Sequence, residues 1–421
     1  MAIAKENKQE KPMDFEGIYR SFKNNLESLE VFLRNLVPVV KKQDRLSAKK
    51  VNKILKQAYG IIKVAKDKGN RLESKRKIIE ELSDEQIHQI KEIFAILPLL
   101  TTSQGELLYR SSFVMLLSYF DFLISDLIRY YYRKYPEFLS SKALPFTLKE
   151  LIDLGSVNDA KEYIINREAD SLLYESLDRQ KNFFKDILKV DLKHQIVNWG
   201  RLNEAVERRN IIVHNNCKIN RRYLVNADLS LILGTTKELK EGSEINITEP
   251  YFKSVFEEIC VAGVVLIQVC WRKWEKDDLS GSDGNLILDI YNELLKENWT
   301  CAERLGKFSK ECEVKEQASR LILDVNYCQS LKWQDKNEEL AEQLNNFDVS
   351  ALSPQFVLAF YALKSDRDGF YKNIEDAVIG SDGLPREAFT DWPLFREMRK
   401  DTDYTARVDS AFLKKQERDR S

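Results

Sequence analysis

Glu207-Arg208-Arg209-Asn210-Ile211-Ile212-Val213-His214-Asn215-Asn216 is the stretch on which the reading of this chain turns. Placed on a helix at about 100° per residue, Leu202, Ala205, Val206, Ile212 and Val213 share one apolar stripe. Arg209 falls inside that stripe, where a leucine would be expected. Asn203, Glu207, Asn210 and His214 form a polar strip beside it. A cation aimed at a packed face is costly unless it is paired or directed into a wet cleft. Asn210 and His214 lie one helical turn apart and can reach a common site. An arginine followed a few residues later by a histidine is unspecific alone, arising about once by chance in a chain of this length. The bland reading has Arg209 snorkelling to the surface and His214 ending a helix. Context argues otherwise: Asn210 directly follows the arginine, three β-branched residues separate it from His214, and Asn215 follows.

Working outward, 421 residues exceed one ordinary core and suggest two or three domains. Apolar residues at 43 % and charged residues at 32 % read as globular, and only 15 glycines and 9 prolines favour long helices over tight turns. Residues 14–98 read as two or three amphipathic helices, with Ile18, Phe22, Leu26, Leu29 and Phe32 at three- and four-residue spacing. A basic stretch from Lys41 to Lys56 follows; such a run is more often a solvated face than a phosphate site. Turn residues at 101–105 precede a long helix from Glu106 to about Tyr135. Further helices are expected to His214 and again over residues 251–274. Residues 221–250 change character and suit a small β-hairpin or irregular insertion, with Leu229–Leu233 and Ile245–Thr248 as its apolar pieces. Residues 277–285 are polar, glycine-containing and aperiodic, which predicts a linker. Beyond it, segments at 286–309, 313–331, 336–345, 354–364 and 367–379 resemble a TPR-like array without a clean 34-residue repeat. The charged tail from Asp401 should fray.

Several classes are disfavoured. The N-terminal residues 1–13 carry no apolar core, so no secretory signal is expected there. The longest apolar runs, Phe113–Ile124 and Val261–Cys270, fall short of the roughly 20 residues that span a bilayer, so no membrane partner is expected. Six cysteines without a C-x-x-C pair read as idle thiols in a reducing cytoplasm. The three histidines, 88, 194 and 214, are too scattered for a Cys/His metal site, and no metal or other cofactor is expected. P-loop, Gly-x-Gly-x-x-Gly, His-Glu-x-x-His and Gly-x-Ser-x-Gly patterns are absent from the sequence. A formal net charge of -1 gives no global attraction to polyanions, so any RNA contact needs a local basic patch.

Arg209-Asn210-x-x-x-His214 resembles the Arg-(Asn/Asp/His)-x-x-x-His signature of HEPN domains. Trp199-Gly200-Arg201-Leu202 before it and Asn220-x-x-Tyr223-Leu224 after it are similar to what brackets that motif in bacterial members. The segment Ser118 to Ile128 resembles the family's long first helix, in which an acidic residue, here Asp121, faces the motif helix. The resemblance covers residues 106–276. It implies a HEPN-type helical bundle there; with the residue patterns read above, a mainly α fold is expected, with the small β-hairpin insertion, an N-terminal helical region (1–100), a helical-repeat-like arm (286–400) and a charged tail (401–421). One departure is notable. HEPN toxins controlled by nucleotidyltransferase antitoxins carry a tyrosine two residues after the histidine, where this chain has Asn216.

The implied activity is metal-independent RNA cleavage through the 2′-hydroxyl, leaving 2′,3′-cyclic phosphate ends. Histidine, with a reference pKa of about 6.5, moves protons near neutrality, and arginine's fork stabilises a phosphorane. Arg209, Asn210 and His214 are the expected catalytic residues, Arg208 and Asn215 the substrate-binding ones, and Asp121 a supporting one. Glu204 is an alternative partner for Arg208, in a surface salt bridge. The resemblance further implies a homodimer acting as a toxin or antiviral effector, with the arm recruiting a regulatory protein. The alternative is a non-catalytic HEPN-fold scaffold for RNA or protein.

Overall fold

The computed structural model describes residues 14–68, 83–101, 103–140, 146–192, 195–231, 239–277, 279–380 and 383–420. It is mainly helical, with no strand among the described residues. The chain divides into two compact units. One, the motif unit, comprises residues 20–122 and 199–256; the other comprises residues 1–19, 123–198 and 257–421.

Of the two or three helices expected over residues 14–98, the described residues hold Phe15–Lys68 and Asp84–Thr101, with residues 69–82 outside them. Phe15–Lys68 runs unbroken for 54 residues, through Pro38. Its buried stripe is Ile18, Phe22, Leu26, Leu29 and Leu33, whereas Phe32 is 47 % exposed. Leu33 sits four residues beyond Leu29, so it keeps the stripe on the inner face where Phe32 would leave it. The cations of the basic stretch, Lys42, Arg45, Lys49, Lys50, Lys53 and Lys56, are exposed, while Lys41 pairs with Glu249 at 2.6 Å. Hydrogen bonds from Lys41 and then Lys253 pull the Glu249 carboxyl down to about 2.

Asp44 fixes where the next long helix, Gln104–Lys134, begins. Its carboxylate accepts from the Gln104 and Gly105 amides at 2.8 and 2.9 Å and from the Ser103 hydroxyl at 2.9 Å. Those amides have no partner inside a helix, and the negative charge also suits the positive end of its dipole. A Cβ on Gly105 would lie 3.0 Å from the Asp44 carboxylate, so any larger residue there would have to push that carboxylate aside.

Where a hairpin or irregular insertion was expected, the described residues hold one antiparallel bridge, Lys218 to Glu244. Ile219 N donates to Ser243 O and Ile245 N to Cys217 O, both at 2.9 Å. Leu229–Leu231 forms a 3₁₀ turn, and residues 232–238, including Gly234, lie outside the described residues. Two crossing segments this short bury their apolar side chains under a helix end, not across a sheet. Ile211, Ile219, Tyr223, Ala227 and Ile245 make that small core.

In the other unit, Phe15, Tyr130, Trp271 and Trp274 form an aromatic cluster with ring centroids 4.4 to 6.2 Å apart. The expected linker is largely helical: Ser280–Leu295 is one helix, with Ser282 and Asp283 buried. Asp283 pairs with Arg272 at 2.5 Å, and Ser282 donates to Gln268 at 2.7 Å. Those polar residues satisfy a buried helix start, although their composition imitates a loop. The segment expected as one helix at 286–309 breaks after Leu295, where Glu297 adopts φ 58°, and resumes at Trp299–Glu311. Paired helices then follow, Pro354–Leu363 against Arg367–Ile379 among them, over a core that includes Leu358, Phe370, Phe389 and Phe395. The tail does not fray after residue 403: Tyr404–Arg420 is helical, with Tyr404, Val408 and Ala411 buried on one face at helical spacing.

The helices carrying the apolar runs, Gln104–Lys134 and Glu249–Trp274, are long and apolar enough to cross a bilayer by length and composition, contrary to the expectation from uninterrupted runs. The most apolar window of the second is 78 % buried, as a core helix requires.

Candidate functional site

The motif helix spans Trp199–His214. Beyond it, Ile211 O accepts the amides of Asn215 at 2.9 Å and Cys217 at 3.1 Å. Asn216 and Cys217 adopt left-handed conformations, φ 47° and 61°. Asparagine tolerates that region better than most side chains, so Asn216 has a local backbone role in this turn. The Asn215 side chain donates to Lys218 O at 2.6 Å, which braces the turn beside His214.

The inner face of this helix differs from the apolar stripe expected of it. Leu202, Glu204, Ala205, Glu207, Arg208 and Ile211 are buried, whereas Val213 is 51 % exposed. Ionised groups occupy the core because they satisfy one another there. Arg208 Nε lies 2.7 Å from Glu204 Oε1, with side chains 2 % and 1 % exposed. The Tyr223 hydroxyl donates to Glu204 Oε1 at 2.5 Å and the Tyr251 hydroxyl to Oε2 at 2.6 Å. The Arg208 guanidinium stacks 3.6 Å above the Tyr251 ring. Burial pushes both tyrosine hydroxyls well above their usual range, with Arg208 opposing the shift. Glu207 is likewise paired, with Arg222 at 3.3 Å.

Arg208 is therefore corrected: it pairs with Glu204, as the sequence allowed, but in the core. A side chain so enclosed is not available to an RNA phosphate. The sequence reading missed Tyr251 altogether. Tyr223 had appeared only as part of the pattern after the motif, and its place above Glu204 explains that pattern physically.

Arg209 faces the Gln104–Lys134 helix. Its Nη1 donates to Asp121 Oδ2 at 3.3 Å, and the two side chains are 22 % and 21 % exposed. Burial raises the Asp121 carboxyl above its usual range, and Arg209 pulls the other way. Arg209 Nε is buried without a hydrogen-bond partner, so part of the guanidinium fork is unspent. His214 and Asn215 are exposed and Asn210 is half-buried.

Five residues apart, Arg209 and His214 lie about 140° from each other around the helix axis. They border the two sides of an outward strip that also carries Val206, Asn210 and Val213. One chain thus brings together Arg209 with Asp121, and Asn210 with His214, but leaves those two pairs on opposite borders. Comparison with known protein families, curated proteins and solved structures gave no match for this chain.

Proposed function

We propose that this chain is a cytoplasmic, metal-independent endoribonuclease of the HEPN type. The observation that carries the reading is the Arg209–Asp121 pair. A carboxylate from a second helix holds the arginine at the rim of the motif helix with donors unspent, while His214 stands exposed on the same outward strip.

In the reaction, the 2′-hydroxyl of RNA attacks the adjacent phosphorus and loses its proton to one His214 imidazole. The 5′-oxygen departs and takes a proton from a second general acid. Arg209 stabilises the charge on the phosphorane. Asn210, one turn before His214, orients phosphate or imidazole. Asn215 braces the turn beside His214. The phosphate contacts once expected of Arg208 fall to the exposed cations between Lys42 and Lys56 in the same unit. A HEPN-type core, a role as a toxin or antiviral effector and a TPR-like arm that recruits a regulatory protein belong to this same proposal.

Incubated with RNA in EDTA for a period short enough to spare any buried structural metal, the full chain should still cut. It should leave 2′,3′-cyclic phosphate and 5′-hydroxyl ends and spare a 2′-deoxy linkage. Neither Arg209 nor His214 belongs to a ligand set: the one group of three metal-ligating side chains among the described residues lies in the other unit. Cleavage that stops in EDTA, or 5′-phosphate products, would mean another chemistry.

A single motif offers one histidine for two proton transfers, so the active form is a two-fold dimer through the outward strip. Exposed apolar side chains on that strip and on the helix bearing Asp121, namely Val213 at 51 %, Phe122 at 52 % and Met115 at 46 %, suit burial against a second copy. Light scattering and mass photometry should give the dimer mass wherever RNA is cut. A monomer that cuts at nanomolar concentration would end the composite-site model.

A further inference from the structure

Independently of RNA chemistry, the second unit holds an unassigned cluster of soft and hard ligands. Cys260 on the Glu249–Trp274 helix, Glu293 near the end of Ser280–Leu295 and Cys301 near the start of Trp299–Glu311 meet inside the core. Their ligand atoms all lie within 4.8 Å of one another. The three residues are 4 %, 4 % and 0 % exposed. We propose that Cys260, Cys301 and Glu293 form a structural zinc site.

Three observations support it. The first is the donor set, two thiols and a carboxylate contributed by three helices, which is chemistry zinc accepts. Tetrahedral zinc–thiolate geometry sets ligand atoms about 3.7 Å apart, so binding asks for a contraction of about 1 Å, within reach of side-chain rotation.

The second is the state of Glu293. A buried carboxylate is costly without a cation. Its ion pair with Lys296 is long, at 3.9 Å, and the lysine side chain is 36 % exposed. Arg304 is already engaged by Glu258 at 2.7 Å and Glu257 at 3.4 Å. A zinc ion between the ligands supplies the missing charge at short range.

The third is an outer brace. Asn298 donates from its side chain to Glu293 Oε2 at 2.8 Å and from its amide to Glu293 O at 2.9 Å. Positive φ at Glu297 makes the tight turn that returns Asn298 onto Glu293. A hydrogen bond to one carboxylate oxygen is the arrangement by which outer residues aim a metal ligand. On binding, Zn²⁺ displaces one proton from each thiol, forming two zinc–sulfur bonds and releasing two protons; water completes the fourth position. The ion would tie together the helices at 249–274, 280–295 and 299–311, the segment the sequence reading took for a linker and a continuous helix.

The test is the full chain, made in zinc-supplemented medium and purified without a metal-affinity column. Elemental analysis should find close to one zinc per chain, and X-ray absorption should find two sulfur neighbours at about 2.3 Å. The sulfur signal separates this site from zinc held adventitiously by the exposed His214. Cys301→Ser and Glu293→Gln should each lower the zinc content severalfold with helical content kept. Should either variant fold poorly, the wild-type measurements decide alone. Reduced wild-type protein that takes up no zinc, zinc without sulfur neighbours, or an intact mass showing a Cys260–Cys301 disulfide in protein purified under reducing conditions would each overturn the proposal.

Discussion

On the proposed function, His214→Ala should lower RNA cleavage about 10²–10⁴-fold, the range expected when a general acid or base is lost. It should do so without disturbing the fold. His214 is the last residue of the motif helix and exposed, and a surface substitution of this kind stays within about 0.5 kcal/mol. Circular dichroism and hydrogen exchange of the motif helix should therefore match wild type while cleavage assays do not. Arg209→Lys is the companion measurement. Lysine keeps the charge facing Asp121 but loses the fork, so turnover should stay low even where the ion pair survives. These variants also separate the enzyme from the scaffold. Wild-type cleavage by purified His214→Ala would remove the central claim and leave the Arg209–Asp121 pair as a structural strut.

What the sequence disclosed, and what it hid, follows from periodicity. Helix content was legible throughout because the apolar positions recur at three and four residues, and the motif's place on a helix was legible for the same reason. The pairing of Asp121 with Arg209 came from resemblance; no spacing argument joins residues 88 positions apart. The orientation of the motif helix was misread because polarity was equated with exposure. Glu204, Glu207 and Arg208 face inward; the Glu204–Arg208 pair lies within the helix, but Tyr251 and Arg222, which complete the partners of Glu204 and Glu207, come from outside it, where one-dimensional reading has no access. Boundaries failed for a related reason. Ser280 to Asn285 looks like a loop until Arg272 and Gln268 are seen to satisfy its polar groups. Glu297 turns the chain without glycine or proline to announce it. The Cys260–Glu293–Cys301 cluster was hidden likewise, since its members lie 33 and 8 residues apart and fit no short ligand motif.

The largest stability effect should come from a residue that never meets substrate. Arg208→Ala deletes one half of an ion pair with both side chains at 2 % exposure or less, and breaking a buried pair costs about 3–5 kcal/mol because the other charge is stranded. Two features adjust that figure. The Tyr223 and Tyr251 hydroxyls still donate to Glu204, which softens the loss, while the Tyr251 ring loses a cation 3.6 Å above its face, which deepens it. Hydrogen exchange along the motif helix should quicken by about 10²–10³-fold if these amides exchange through opening of the unit. A double cycle sharpens the argument: Glu204→Gln with Arg208→Met should cost well under the sum of the single changes, since neither charge is then stranded. The same cluster sets an alkaline limit. Tyrosine ionises near pH 10 in an unfolded chain, whereas burial raises Tyr223 and Tyr251 in the folded one. The unfolded state therefore sheds those protons first, and stability should fall as pH climbs above about 10. Below that pH both states keep the protons and the two tyrosines add no pH dependence. Exchange in Arg208→Ala within threefold of wild type would show that the pair is dispensable, and that the motif helix is held by Leu202, Ala205 and Ile211 alone.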